Sequence, residues 1–459
     1  MAAGSKDLIV RLVSTTGHSP PSDFRKALFQ SLAPDGGLYT PEYLTPLALD
    51  IRDGLRGADL QSVATTIARH LLGDEFDVET LDQIVTDALN FPIPLTRLDD
   101  GVHLLELFHG PTLAFKDVGA RFMAHVMRLC RSGDQELTVL VATSGDTGSA
   151  VAQAFLGLEG CRIVVLFPDG QVSTIQERQF TTLGANVQAL AVSGTFDDCQ
   201  RLAKQAFSDD KLRRQIRLTS ANSINIGRLL PQIFYYFGAW AQLPESDREL
   251  VFCVPSGNFG NLTAGLMAKR LGLEVDGFAA ATNINDVVPQ YLLTGCYDPR
   301  PSQRTISNAM DVGDPSNFAR ILHLYDRNLD ALRSDLVSSS HTDEETRRCI
   351  REVYESHGVL LDPHTAVGFL GLRELLAHRK RPTDTILLGT AHPAKFGDTV
   401  GEAAGAEVPL PKRLAAHLQR ERRVTPIAAR YDELVEVLVG QAREQEDSTR
   451  QARTPQKPR

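Results

Sequence analysis

Between about residue 100 and residue 400 the chain alternates short apolar runs with longer stretches of helical periodicity. The runs at 102–107, 137–142, 163–167, 187–192, 251–254, 275–281 and 385–388 lack the in–out alternation of a half-exposed strand. Such runs read as strands buried on both faces, and spacers of about ten or more residues read as crossover helices. Ser173 and Gln176 stand at capping-box spacing and open a helix expected to stop near Gly184. The pattern predicts an α/β fold on a mostly parallel sheet covered on both faces.

Outside this region the pattern changes. Residues 1–95 read as an α+β region, with a turn at Ala33-Pro34-Asp35-Gly36-Gly37 and helical periodicity over 60–72 and 78–89. Phe91-Pro92-Ile93-Pro94 breaks any helix and marks a domain boundary before the core at 96–400. Residues 401–440 form a C-terminal helical segment, with an amphipathic helix expected over 426–439. Residues 441–459 hold almost nothing apolar, so a solvated, disordered tail is expected there.

Composition narrows the function classes. The 459 residues are 42% hydrophobic and 23% charged, ordinary for a globular protein of several domains. A net charge of −9 argues against nucleic acid or an anionic membrane as the main partner, and leaves anionic small molecules open. No run approaches the ~18 apolar residues of a membrane span. Leu8-Ile9-Val10 is too short for a signal peptide, so a cytoplasmic protein is expected. The six cysteines are scattered without a Cys-x-x-Cys pair, which favours reduced thiols over disulfides or a metal site.

In open α/β sheets, ligands sit beyond the carboxyl ends of strands, and that is where the candidate chemistry lies. In His109-Gly110-Pro111-Thr112-Leu113-Ala114-Phe115-Lys116-Asp117, a Gly-Pro turn and an apolar step lead to one lysine. An amine in such surroundings has a lowered pKa and attacks carbonyls. Taken alone, the stretch is explained as well by a surface lysine with its stem along a helix. Thr143-Ser144-Gly145-Asp146-Thr147-Gly148 offers hydroxyls and N–H groups at a helix start, suited to a carboxylate or phosphate, or is an ordinary capped turn.

Pro255-Ser256-Gly257-Asn258-Phe259-Gly260-Asn261 lets the backbone approach an anion closely. It lacks the lysine of a nucleoside-triphosphate loop and the third glycine of a dinucleotide fingerprint. It reads as a site for a single phosphate monoester, or as a tight turn. Thr390, after the run at 385–388, could hydrogen-bond a neutral ring nitrogen or cap a helix. In 222–228, Asn225 and Arg228 lie one helical turn apart, and arginine suits phosphate. A carbonyl-capturing lysine, a one-phosphate loop and a ring-nitrogen partner together fit pyridoxal 5′-phosphate.

Taken in order, 109–117, 144–148, 222–228 and 256–261 resemble the motifs of the threonine synthase family, within the fold type II (tryptophan synthase β-like) pyridoxal-phosphate enzymes. The similarity extends from Ser14-Thr15-Thr16-Gly17 and Pro34-Asp35-Gly36-Gly37-Leu38 to Thr390-Ala391-His392-Pro393. The resemblance implies two parallel-sheet α/β lobes behind an N-terminal domain. It implies that Lys116 is the Schiff-base lysine and the base, and that Gly257, Asn258, Phe259, Gly260 and Asn261 hold the cofactor phosphate. It places Thr390 at the pyridine nitrogen, Asp146 at the cofactor's ring edge, and Ser144 and Thr147 at the substrate carboxylate. Asn222, Ser223, Asn225 and Arg228 would meet the substrate phosphate, and no metal is implied.

The implied reaction takes O-phospho-L-homoserine and water to L-threonine and phosphate by γ-elimination and β-addition of water, in a monomer or homodimer. A closing movement of the lobe around 144–148 is expected with it. The alternative within the class is a lyase giving 2-oxobutyrate from phosphohomoserine or phosphothreonine; the intact Pro111-Thr112-Leu113 favours the synthase. A silent cofactor-binding protein is disfavoured because every site residue is present. A nicotinamide oxidoreductase is disfavoured by the missing fingerprint.

Overall fold

The computed structural model describes residues 10–131 and 136–440; the tail expected at 441–459 lies outside them. The strands, in chain order, are β1 (Leu12–Ser14), β2 (Tyr39–Pro41), β3 (Leu95–Asp99), β4 (Val102–Glu106), β5 (Leu137–Ala142), β6 (Cys161–Pro168), β7 (Val187–Ser193), β8 (Arg217–Ser220), β9 (Glu249–Pro255), β10 (Gly277–Thr282), β11 (Leu336–Ser340), β12 (Thr383–Gly389) and β13 (Thr425–Ala428).

The chain builds two large sheets. One runs β11-β10-β9-β12-β4-β3 and is parallel except for β3, which pairs antiparallel with β4. The other, β13-β7-β6-β5-β8, is parallel throughout. The chain leaves the first sheet after β4, completes β5 to β8 in the second, and returns at β9. β1 and β2 form a small antiparallel pair.

Both faces of both sheets are covered, and the strands show it residue by residue. Phe252 and Val254 of β9 enter one core, while Val251 and Cys253 enter another with Leu372 and Leu375. In the second sheet Val139 and Val141 of β5 face that first core, while Leu140 packs with Leu202 on the opposite side. This double burial is why these strands lack alternation.

The expected helices at 60–72 and 78–89 are present as Leu60–Leu72 and Val78–Ala88, each started by an aspartate cap, Asp59 and Asp77. Ser173 caps the helix Thr174–Thr181 by accepting the Gln176 N–H. One expectation is corrected. The stretch read as a helix over 426–439 begins as β13, and helix resumes only at 431–440. β13 lies parallel to β7 and satisfies that strand's open edge, and Pro426 is tolerated because β13 is itself an edge strand. No helix among the described residues is long and apolar enough to cross a membrane.

Candidate active site

The carboxyl ends of β5, β8, β9 and β12 converge on one cavity. Its wall includes Lys116, Ser144, Asp146, Thr147, Asn222, Ser223, Arg228, Thr390 and the loop from Gly257 to Asn261. Stretches up to about 270 residues apart in sequence are brought together because parallel strands all end on the same side.

Lys116 opens the helix Lys116–Cys130. Its place is fixed from β12: the Thr390 carbonyl accepts the Phe115 N–H at 2.9 Å, and Ala114 bridges Ala391. The neighbouring Asp117 is buried and accepts from Thr112 through its N–H (2.9 Å) and Oγ1 (2.7 Å). Lys116 Nζ lies 3.7 Å from Asp146 Oδ2 and 4.5 Å from the centre of the Phe115 ring. Desolvation pulls the Lys116 amine down to about 8; Asp146 opposes the shift, and Arg228 and Lys395 reinforce it. The neutral amine is therefore accessible near physiological pH, which a surface lysine would not offer.

Asp146 begins the helix Asp146–Ala154, after Gly145 at φ 141°. Burial acting alone would raise its carboxyl. Lys395, Lys116 and the Gln176 amide outweigh that and hold it below the usual carboxylate range. Thr143 shapes the loop, its Oγ1 accepting the N–H groups of Gly145 (2.9 Å) and Gly148 (2.8 Å).

The loop after β9 turns through Phe259, which sits in the left-handed region at φ 58° and leads into the helix Gly260–Arg270. A non-glycine residue held there costs about 1–3 kcal/mol and marks a backbone shaped for a task. The first N–H groups of an α-helix have no carbonyl partner within it, so the start of this helix offers donors to an anion. A Cβ on Gly257 would lie 2.6 Å from the Ala309 carbonyl oxygen, so the approach of these loops requires glycine. Asn258 reaches across to the segment 222–228 by donating to Ser223 Oγ at 2.7 Å. Asn261 is an internal brace, donating to the Pro255 carbonyl at 2.8 Å.

Arg228 is buried, and burial lowers its guanidinium to about 10, with Asp117 opposing. Its Nη1 donates to the Ala221 carbonyl at 2.7 Å, but its Nε has no partner among the described residues. A buried, incompletely satisfied guanidinium on a cavity wall is a site for an anion. Asn222 clamps the end of β5, donating to the Ala142 carbonyl (2.7 Å) and accepting its N–H (3.2 Å).

Asn225 is placed apart from the others. It is off the cavity wall, with its amide donating to the Leu28 and Ser220 carbonyls and its Oδ1 accepting the Gly227 N–H. It caps the short helix that carries Arg228, because the same local signal that suits phosphate binding also suits a helix start.

Sequence reasoning passed over His364. It lines the cavity, accepts the Ala309 N–H on Nε2 at 3.1 Å and pairs through Nδ1 with Asp362 at 2.7 Å. With Nε2 accepting, Nδ1 is the nitrogen that donates to Asp362. Asp362-Pro363 is a capping aspartate before a first-turn proline, a helix-start signal that could have drawn attention to the site.

The residues present fit pyridoxal phosphate: an amine with a lowered proton affinity, a helix start at a glycine-bearing loop and a strand-end hydroxyl share one wall. Residues 88–389 match the family described as pyridoxal-phosphate dependent enzymes. Fold and site together define a pyridoxal-phosphate-dependent enzyme of fold type II. Residues 11–89 match the threonine synthase N terminus, and 365–439 the threonine synthase C-terminal family.

Among curated relatives, threonine synthase of Serratia marcescens is 44% identical over 432 residues, covering 94% of this chain and 99% of that one. The crystal structure of threonine synthase from Escherichia coli superposes with a TM-score of 0.89 at 43% identity, covering 94% of this chain and 100% of the other. That of pyridoxal-phosphate-bound threonine synthase from Brucella melitensis gives 0.88 at 37% identity, covering 94% and 99%. The chain belongs to the threonine synthase family.

Proposed function

We propose that this chain converts O-phospho-L-homoserine and water into L-threonine and phosphate. The observation that carries the reading is a pair of anion sites in one cavity, the start of the helix Gly260–Arg270 and the partly unpartnered Arg228, with Lys116 on the same wall. One suits the cofactor's phosphate and the other a phosphorylated substrate.

Lys116 would hold the cofactor through its amine, Gly257, Asn258, Phe259, Gly260 and Asn261 would hold its phosphate, and Thr390 and Asp146 would meet its ring. Pyridoxal phosphate, when bound, supplies an electron sink for a carbanion formed beside its ring. Lys116 Nζ would take the Cα proton and then a Cβ proton and return one to Cγ and one to Cα, while water supplies the hydroxyl at Cβ and its remaining proton leaves with the phosphate. Ser144 and Thr147, at the start of the helix Asp146–Ala154, orient the α-carboxylate. Arg228 and Ser223 hold the phosphate that departs. Asn222, by locking its loop to the end of β5, fixes the spacing of the carboxylate and phosphate sites. Asn225 supports the phosphate site from behind.

We also propose a division near residues 95 and 400, a cytoplasmic location and a monomer or homodimer acting without nucleic acid. The Phe91-Pro92-Ile93-Pro94 break and the net charge of −9 support this. Incubation with O-phospho-L-homoserine should release threonine and phosphate in equal amounts, and Lys116→Ala should abolish both. 2-Oxobutyrate as the chief product, or an active Lys116→Ala enzyme, would overturn the proposal.

A further inference from the structure

Lys395 lies in the short 3-10 turn Pro393–Phe396 after β12, is 0% exposed, and forms no part of the cavity wall. Its Nζ is 2.7 Å from Asp146 Oδ1 and donates to the Thr112 carbonyl at 2.9 Å. Asp146 turns its other oxygen towards Lys116, so one buried carboxylate faces two amines. Thr112 meanwhile donates to Asp117, the residue next to Lys116. The contacts thus form a ring around the reacting amine, running from Asp117 through Thr112, Lys395 and Asp146 to Lys116.

An ammonium wholly removed from water loses several kcal/mol of hydration and persists only where its charge is matched. The other groups facing this cluster are few. Gln176 donates to Asp146 Oδ1 at 2.7 Å, Arg228 and Asp362 act on Lys116, Asp117 faces Lys395 from the first turn of the helix Lys116–Cys130, and the His392 ring lies close by in sequence and space. With Lys395 absent, Lys116 would be the nearest cation left to the buried Asp146. That pairing favours the Lys116 ammonium, the form that neither bonds an aldehyde nor accepts a proton.

We propose that Lys395 is a positioning residue: it neutralises and anchors Asp146, which frees the Lys116 amine to lose its proton. The inference deepens the function proposed above, and it rests on that reading only for the turnover measurement.

The test follows capture of pyridoxal phosphate by the full-length, cofactor-depleted chain between pH 6 and pH 10, read from the growth of its protein-bound absorbance. Capture needs the neutral amine, so its rate rises with pH through the Lys116 midpoint, near 8 in the natural sequence. Lys395→Met should move that midpoint up by about one unit, a tenfold loss of free amine at neutral pH, and lower kcat with little change in KM. Asp146→Asn should move it down. The double variant Lys395→Met/Asp146→Asn, which buries no unmatched charge from this pair, should return it to near the natural value.

An unmoved midpoint in Lys395→Met, or a double variant no closer to the natural protein than Lys395→Met, would overturn the proposal. Should Lys395→Met fail to fold, the double variant decides by itself: a midpoint near 8 supports the role and one displaced as in Asp146→Asn refutes it. Because capture needs no substrate, such a failure would leave the reaction assay above untouched.

Discussion

Lys116 shows that a reacting group is expensive to keep in a fold. Its amine has a midpoint near 8 in the folded chain against 10.5 for an ordinary lysine. Between those values the unfolded chain binds the extra proton, so folding stability rises with pH through the window. At pH 7 the buried charge costs about 2–3 kcal/mol, by the scale of one pKa unit per 1.36 kcal/mol reduced for partial exposure. Cofactor-free Lys116→Met should accordingly be more stable than the natural chain at pH 7, with the gap closing towards pH 10. Urea melts of both proteins at the two pH values would measure it. Arg228→Ala should weaken phosphohomoserine binding by about 2–4 kcal/mol, the scale of a lost charged contact. Cofactor content should stay unchanged, so KM is the quantity to follow. An apo product would move Arg228 from the substrate to the cofactor.

At the scale of elements, legibility divided by position in the sheet. The strands recognised in the sequence include every interior strand, β4, β5, β6, β7, β9, β10 and β12, because burial on both faces leaves an apolar run. The strands not recognised in the large sheets are the four at the edges, β3, β8, β11 and β13. Leu336–Ser340 has only its first residue buried, and Leu95–Asp99 none. One face and one edge of such a strand meet water, and short polar sequences such as these carry no distinguishing period. Helix contacts were equally hidden. A Cβ on Gly119 would lie 2.5 Å from the Arg228 carbonyl oxygen, so this glycine sets how closely the helix bearing Lys116 meets the one bearing Arg228. Gly119→Ala should cost about 1–3 kcal/mol by overpacking. It should also depress kcat by separating the two side chains, which thermal melts and steady-state kinetics would show together.

Across the whole molecule, one buried cation ties distant segments together. Arg320 is 0% exposed and has no carboxylate partner among the described ion pairs. It donates instead to the carbonyls of Tyr39 (2.8 Å), Ser223 (3.1 Å) and Ile224 (2.6 Å), and to Asn317 Oδ1 (2.6 Å). Burial lowers its guanidinium to about 9. The side chain thereby fastens the N-terminal strand β2 to the loop that carries Ser223. Arg320→Met would leave these acceptors unpaired and should lower stability by about 2–4 kcal/mol, read from denaturant midpoints. It should also raise KM for phosphohomoserine, since the loop beneath Ser223 loses its brace.

By itself, the sequence determined the α/β class, the interior strands and the motif residues that line the cavity, since apolar runs and local glycine, lysine and hydroxyl motifs are written in consecutive residues. The tertiary structure alone decided which strands fall in which sheet, that Asn225 braces the site from outside, and that His364, Lys395 and Arg320 belong around it. Those facts depend on which strand ends meet and which charges lose their water, and neither depends on neighbours in the chain.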